Sequence, residues 1–263
     1  MSQALSPLDE PLRVGIWQSL PLPMISRYLA AMKWDWVVLD LQHGPMSFET
    51  AYECVQTLRA GGTTPLVRVA INTPFEVQRA LDIGAAGVVV PMTNTLDMAR
   101  ALAAAAKYPP RGERSLGGDA SLLQGEDYPE RANGETLLLV QVEHAAAVAV
   151  VDCMMAIDGV DGCFVGPTDL ALSMGLPRQG YDDDPGHRAA MRRIVEACAR
   201  HGKWPCCNTY DVEDFAAKVR DGFRAITLRS EVDLLMAGGR NLLRQLRQHV
   251  PSAPKAVGGG SGP

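Results

Sequence analysis

Two carboxylates, Glu143 and Asp169, each follow an apolar run. Leu137-Leu138-Leu139-Val140 leads through Gln141-Val142 to Glu143, and Gly162-Cys163-Phe164-Val165 leads through Gly166-Pro167-Thr168 to Asp169. Short continuous apolar runs suit strands buried on both faces, and parallel α/β proteins carry their chemistry at the C-terminal strand tips. Two acidic side chains on neighbouring tips make a hard oxygen site for a divalent cation such as Mg²⁺ or Mn²⁺, with water or substrate completing the octahedron. The plainer reading is two charged residues ending strands in solvent, and spacing alone does not separate the two.

Other residues of the same kind gather at the ends of other apolar runs. Arg68 closes Pro65-Leu66-Val67-Arg68-Val69, where it is either an ion-pair partner or a planar fork for a carboxylate or an oxyanion. His43 stands three residues after Asp40 in Asp40-Leu41-Gln42-His43-Gly44. It either caps the helix that follows or is a general base oriented by a carboxylate. Gly166, Thr168 and Asp169 mark a strand turning into a helix, where unpaired backbone N–H groups donate to an anion. An anionic head, an oxygen on a cation and an arginine opposite describe a 2-oxo acid. Trp17, Gln42 and Asn208 complete the polar and aromatic rim.

These residues meet only if the elements beneath them form one sheet. Apolar runs near residues 13–17, 36–40, 65–69, 87–91, 137–142, 162–166, 204–208 and 224–228 read as strands. Amphipathic or alanine-rich helices are expected over 24–32, 48–60, 74–82, 95–106, 146–157, 186–201 and 231–249. Strand and helix in alternation mean a parallel sheet, and eight strands favour a closed (β/α)8 TIM barrel over an open doubly wound sheet. The long stretch from Tyr108 to Thr136 breaks the rhythm, as functional loops do. One barrel domain is expected over 11–250, with an N-terminal extension at 1–10 and a glycine-rich flexible tail at 251–263.

With 263 residues and a net charge of −5, the chain has no basic block for nucleic acid or an anionic membrane. Its longest apolar runs fall short of a membrane span, and its start does not read as a signal peptide. Six cysteines without zinc-site or disulfide-scaffold spacing point to a reduced, cytoplasmic protein. No Gly-x-Gly-x-x-Gly follows the first strand, which argues against a dinucleotide site.

Trp36 to Gly44, Pro65 to Val69, Leu81 to Pro91, Tyr108 to Gly112, Gln141 to Glu143 and Gly162 to Leu170 together, in that order, resemble the HpcH/HpaI aldolase and citrate lyase family. These are metal-dependent class II pyruvate aldolases, and the likeness runs from about Gly15 to Leu246. It implies a pyruvate-type barrel whose C-terminal helix swaps onto a neighbour in a dimer, with three dimers forming a homohexamer. By the same resemblance Glu143 and Asp169 match the ligands of Mg²⁺ or Mn²⁺, with Co²⁺ a further candidate. Arg68 matches the arginine that stabilises the enolate, and His43 with Asp40 the acid/base pair. Asp82 matches an aspartate that reaches the neighbour's site, and Trp17 an aromatic at the pocket mouth. Amides around Thr168 and Asp169 match the contacts to the pyruvate carboxylate. Gln42 departs from the commoner glutamate and Arg114-Ser115 from the commoner Arg-Gly.

The activity so implied is reversible cleavage of a 4-hydroxy-2-oxo acid to pyruvate and an aldehyde through a pyruvate enolate held on the metal. Lys33, Lys107, Lys203, Lys218 and Lys255 fall away from the expected strand tips, which disfavours a Schiff base. Oxaloacetate decarboxylation and acyl-CoA lysis are alternatives on the same residues, and a non-catalytic 2-oxo-acid binding protein is a third.

Overall fold

A computed structural model describes residues 12–118 and 122–250; the expected extension at 1–10 and tail at 251–263 lie outside the described residues. Eight strands, β1 (Arg13–Gln18), β2 (Trp36–Asp40), β3 (Thr64–Arg68), β4 (Gly87–Val90), β5 (Leu137–Val142), β6 (Gly162–Val165), β7 (Trp204–Thr209) and β8 (Ala225–Ser230), pair in sequence order. All pairings are parallel, and β8 closes on β1. The (β/α)8 barrel expected from the alternation is therefore the fold.

Helices α1 (Pro23–Ala31), α2 (Phe48–Ala60), α3 (Pro74–Asp82) and α4 (Leu96–Ala106) return the chain after the first four strands. Thr73 and Thr95 cap α3 and α4 by accepting the backbone N–H three residues on, and Ser47 does so for α2. The second half has α5 (Tyr128–Glu135), α6 (Ala145–Met155), α7 (Pro167–Ser173), α8 (Pro185–His201), α9 (Val212–Arg220) and α10 (Glu231–Arg247). Two of these were not anticipated. Helix α5, Tyr-Pro-Glu-Arg-Ala-Asn-Gly-Glu, buries only Tyr128 and Ala132, too few apolar positions for a visible period. Helix α9 shows Val212, Phe215 and Val219 at helical spacing among charges, a signal that was present but short.

Two apolar layers fill the molecule. Inside the barrel, Trp36, Val38, Leu66, Val89, Leu139, Phe164, Trp204 and Cys206 pack together; a larger shell joins the outer strand faces to the helices. This double burial is why the strands read as unbroken apolar runs. Gly162 opens β6 because a Cβ there would stand 2.4 Å from the Trp204 carbonyl oxygen.

The segment after α4 is a structured bracket. Arg114 is buried, donates to Asp82 at 2.8 Å and to the Tyr128 hydroxyl at 3.2 Å, and lies over the Tyr108 ring. The Arg114 side chain is fully buried while that of Asp82 is 30% exposed, and leaving the buried guanidinium short of a partner costs about 1–3 kcal/mol, so Arg114 is a fastener between α3 and α5.

Helix α10 is tied to the barrel at its first turn and otherwise open. Ser230 and Asp233 form a capping box, and buried Glu231 accepts the N–H groups of Ser19 and Leu20 at 2.7 and 2.6 Å. Leu235, Leu242, Leu243 and Leu246 are exposed. Burial pushes the Glu231 carboxyl above its ordinary value, partly offset by those amides. With its folded-state pKa raised, the native protein binds the proton more readily than the unfolded chain does. Its contribution to stability is then present at low pH and lost as pH rises from the ordinary carboxylate range through the raised value. Urea midpoints measured from pH 4 to 7 should show that downward component, and Glu231→Gln should remove it.

Candidate active site

The C-terminal ends of the strands surround a cleft of about 460 Å³ lined by Trp17, Asp40, Arg68, Gln141, Gly166, Thr168 and Asp169, among others. Its charged lining is balanced, with Arg68, Arg178 and Arg229 against Asp40, Asp169 and Asp233.

Asp40 and Arg68 face each other across the β2–β3 ladder, where their Cα atoms are in register. The pair is bidentate: Arg68 Nε donates to Oδ1 at 2.9 Å and Nη2 to Oδ2 at 2.7 Å. Asp40 Oδ1 also accepts the backbone N–H groups of Gln42 and His43. Such a fork fixes the guanidinium plane and leaves Nη1 free of Asp40. The plane is braced from the other side by the Trp17 ring, 4.4 Å from Arg68 Cζ. Trp17 donates from Nε1 to Thr227 Oγ1 at 2.9 Å and to Asn208 Oδ1 at 3.1 Å and stacks edge-on to Phe164. At 8% exposure it forms the floor of the cleft, not its mouth.

Glu143, just past the end of β5, is 4% exposed. Oε1 accepts the Met92 N–H at 2.7 Å, Oε2 accepts from Gln141 Nε2, and a Cβ on Gly166 would sit 2.8 Å from Oε2. Met92 takes the left-handed conformation, φ +50°, rare for a residue with a side chain and here turning its N–H to the carboxylate. Burial, and then the charge of Asp169, push the Glu143 carboxyl above its ordinary value; the Met92 amide, Arg68 and Gln141 oppose this. The buried Glu143 carboxylate is repelled by the exposed Asp169 carboxylate, and a cation shared by the two would relieve that repulsion. Gln141 Oε1, buried and without a hydrogen-bond donor, adds an unused acceptor beside them. All these donors are hard oxygens, so the set fits Mg²⁺ or Mn²⁺. Among the described residues no group of three or more His, Cys, Asp or Glu side chains converges, so most of an octahedron would fall to water or substrate.

Asp169 and Thr168 lie in the first turn of α7, after Pro167. The first helical N–H to find a partner is that of Leu170, on the Gly166 carbonyl, which leaves the Thr168 and Asp169 amides as the unpaired donors of a helix start. The Thr168 hydroxyl is held between the hydroxyls of Tyr210, at 2.6 Å, and Tyr181, at 3.0 Å. Neither tyrosine was anticipated, because Tyr181 opens a single turn of 3-10 helix and Tyr210 lies in the loop after β7, neither with a period or motif.

Four expected site residues are absent from the cleft lining: Glu143, which touches the lining residues Gly166 and Gln141, and His43, Gln42 and Asp82. His43 is exposed on the loop after β2, and its imidazole makes no hydrogen bond among the described residues. Asp40 therefore engages Arg68 and the His43 backbone, not the His43 ring. Gln42, on the same loop, has a buried Oε1 without a partner. Asp82 ends α3, the helix that runs back from the rim, and is held by Arg114; within one chain it is remote from the cleft.

The sequence model of the HpcH/HpaI aldolase/citrate lyase family matches residues 13–235. A hydroxypyruvate/pyruvate aldolase of Rhizorhabdus wittichii is 32% identical over 232 residues, covering 88% of this chain and 92% of that one. A 2-keto-3-deoxy-L-rhamnonate aldolase of Klebsiella pneumoniae is 32% identical over 192 residues, covering 72% and 70%. The crystal structure of a family member from Burkholderia cenocepacia superimposes with a TM-score of 0.84 at 31% identity, covering 91% of this chain and 95% of that one. A closed parallel barrel, with a buried carboxylate and a clamped arginine at its C-terminal rim, thus accompanies an almost full-length sequence match, and the chain belongs to the HpcH/HpaI aldolase/citrate lyase family of carbon–carbon lyases.

Proposed function

We propose that the chain catalyses reversible, divalent-metal-dependent aldol cleavage of 4-hydroxy-2-oxo acids to pyruvate and an aldehyde. The observation that carries this reading is Glu143: a buried carboxylate set against Asp169, beside an arginine that Asp40 holds in one plane. The names of the two aldolase relatives agree with it.

Glu143 and Asp169 would hold the cation, which when bound supplies Lewis acidity to the 2-oxo and carboxylate oxygens of the substrate. The Thr168 and Asp169 amides orient the carboxylate, and the two tyrosine hydroxyls fix the Thr168 side chain beside it. Arg68 Nη1 donates to the C2 oxygen as negative charge gathers there during C3–C4 cleavage. His43 takes the proton of the 4-hydroxyl, through a water where the distance requires one, and returns a proton to C3. Among the described residues no lysine lines the cleft; Lys107 is buried on the Thr136 carbonyl and Asp161, and Lys218 pairs with Asp182 and Asp214.

Chelation is the test. EDTA should abolish both aldol cleavage and solvent deuterium exchange at the pyruvate methyl group, and Mg²⁺ or Mn²⁺ should restore them. Activity that persists through chelation would defeat the scheme.

We also propose that the chain works in the cytoplasm as a homohexamer, a trimer of dimers in which α10 crosses to its neighbour and Asp82 approaches the neighbour's cleft. The exposed leucines of α10 support this, since one chain leaves that face in water. Sedimentation should give a hexamer, reduced in size by Leu235→Glu with Leu242→Glu; a monomeric active wild type would refute it.

A further inference from the structure

The pyruvate half of the cleft does not use two of its arginines. Arg178, in the loop after α7, is exposed, lines the cleft and has no hydrogen bond or ion pair among the described residues. Arg229 lines it from β8, and its position there is built by the backbone. Gly15 pairs with Thr227 but Trp17 with Ser230, so one residue of β1 faces two of β8, a bulge at Leu228 and Arg229. Arg229 itself has φ +50°, a conformation that costs a branched or long side chain energy and that glycine adopts freely. Bulges beside active sites re-aim side chains, and a strained residue that persists there has something to do.

The side chain is also held. Arg229 Nε donates to the Tyr210 carbonyl, the residue whose hydroxyl steadies Thr168. Its Nη1 is 3.9 Å from Asp233 Oδ1, longer than a hydrogen bond, and Asp233 Oδ2 is committed to the N–H and hydroxyl of Ser230. Asp40 is neutralised by Arg68. Two guanidinium groups thus reach the same cleft with donors to spare.

We propose that Arg178 and Arg229 form the acceptor end of the cleft and select 4-hydroxy-2-oxo acids whose far end is anionic, a carboxylate or a phosphate. The aldehyde released or added then carries that charge. This specificity rests on the aldolase reading above and deepens it. Arginine suits the role because its planar donor array matches either oxyanion.

The experiment uses wild-type enzyme, pyruvate and three aldehydes of equal chain length ending in a carboxylate, a phosphate or a neutral hydroxyl. At least one charged aldehyde should exceed the neutral one in kcat/KM by about 10- to 100-fold, the span of one or two charge-assisted hydrogen bonds; which one does so identifies the anion. Arg229→Gly, which suits the observed φ, and Arg178→Gln should each shrink that ratio, chiefly through KM, and the double variant should bring it near one. A thermal midpoint of Arg229→Gly no lower than wild type would establish that the loss is not unfolding. Wild-type enzyme that exchanges pyruvate methyl protons yet shows no preference for charge overturns this proposal alone. So does a preference that survives in the double variant. Failure of methyl exchange overturns the aldolase reading, and this one with it.

Discussion

Glu143→Gln should lower kcat/KM for aldol cleavage by about 10³-fold or more while leaving the protein as stable as wild type, or more so. The two halves have different physical origins. Losing a carboxylate that holds a cation removes charge stabilisation from the transition state, an effect of at least the 10²–10³ seen for a single lost oxyanion donor. Glutamine is isosteric and still offers an acceptor to the Met92 N–H, so the β4–β5 junction keeps its hydrogen bond. It also removes a buried charge that Asp169 opposes, and relieving such a burden is the usual route by which active-site substitutions stabilise. Steady-state kinetics at saturating Mn²⁺ beside urea unfolding would decide it. A variant with near-wild activity would show that Glu143 is structural, and one that unfolds would show that its charge is part of the fold.

The contrast between Glu143 and His43 shows what was legible in the sequence. Strand tips were readable because β2, β3, β5 and β6 are apolar runs buried along most of their length, so a polar residue at the end of each, or within four positions of it, marks the rim. That placed Asp40, Arg68, Glu143 and Asp169 from the sequence alone. Side-chain pairing was not readable, since a spacing of three between Asp40 and His43 says nothing of which neighbour in space competes for the carboxylate. The parallel register puts Arg68 directly opposite Asp40, and a bidentate fork outbids an imidazole on a loop. The tyrosines on Thr168 and the bulge that turns Arg229 were hidden for a related reason. Both depend on how β7 and β8 sit against β1 and β6, contacts far apart in the chain and without a local period. Helix α9 could have been found from Val212, Phe215 and Val219; α5 could not, because its burial comes from the Tyr108–Arg114 bracket.

That fork makes Arg68→Lys the most informative conservative change in the molecule. Lysine keeps the positive charge but has one nitrogen where arginine has three, so it can satisfy Asp40 or reach the cleft, not both. The expected result is a fall in kcat of about 10²–10³-fold with a smaller change in KM, since the lost donor acts where charge develops and not on the ground-state carboxylate. Asp40 is 5% exposed, and a weaker partner for it should also cost about 1–3 kcal/mol of stability, within the range for a buried charged group left short of hydrogen bonds. Asp40→Asn tests the same coupling from the other side. With the carboxylate gone, the guanidinium loses its brace, and activity should fall although the arginine remains. Because both variants break one unit, the double variant Asp40→Asn with Arg68→Lys should lose far less than the product of the two single losses. Strict additivity in that cycle would mean that Asp40 acts on the reaction separately from Arg68, returning it to the role of partner for His43.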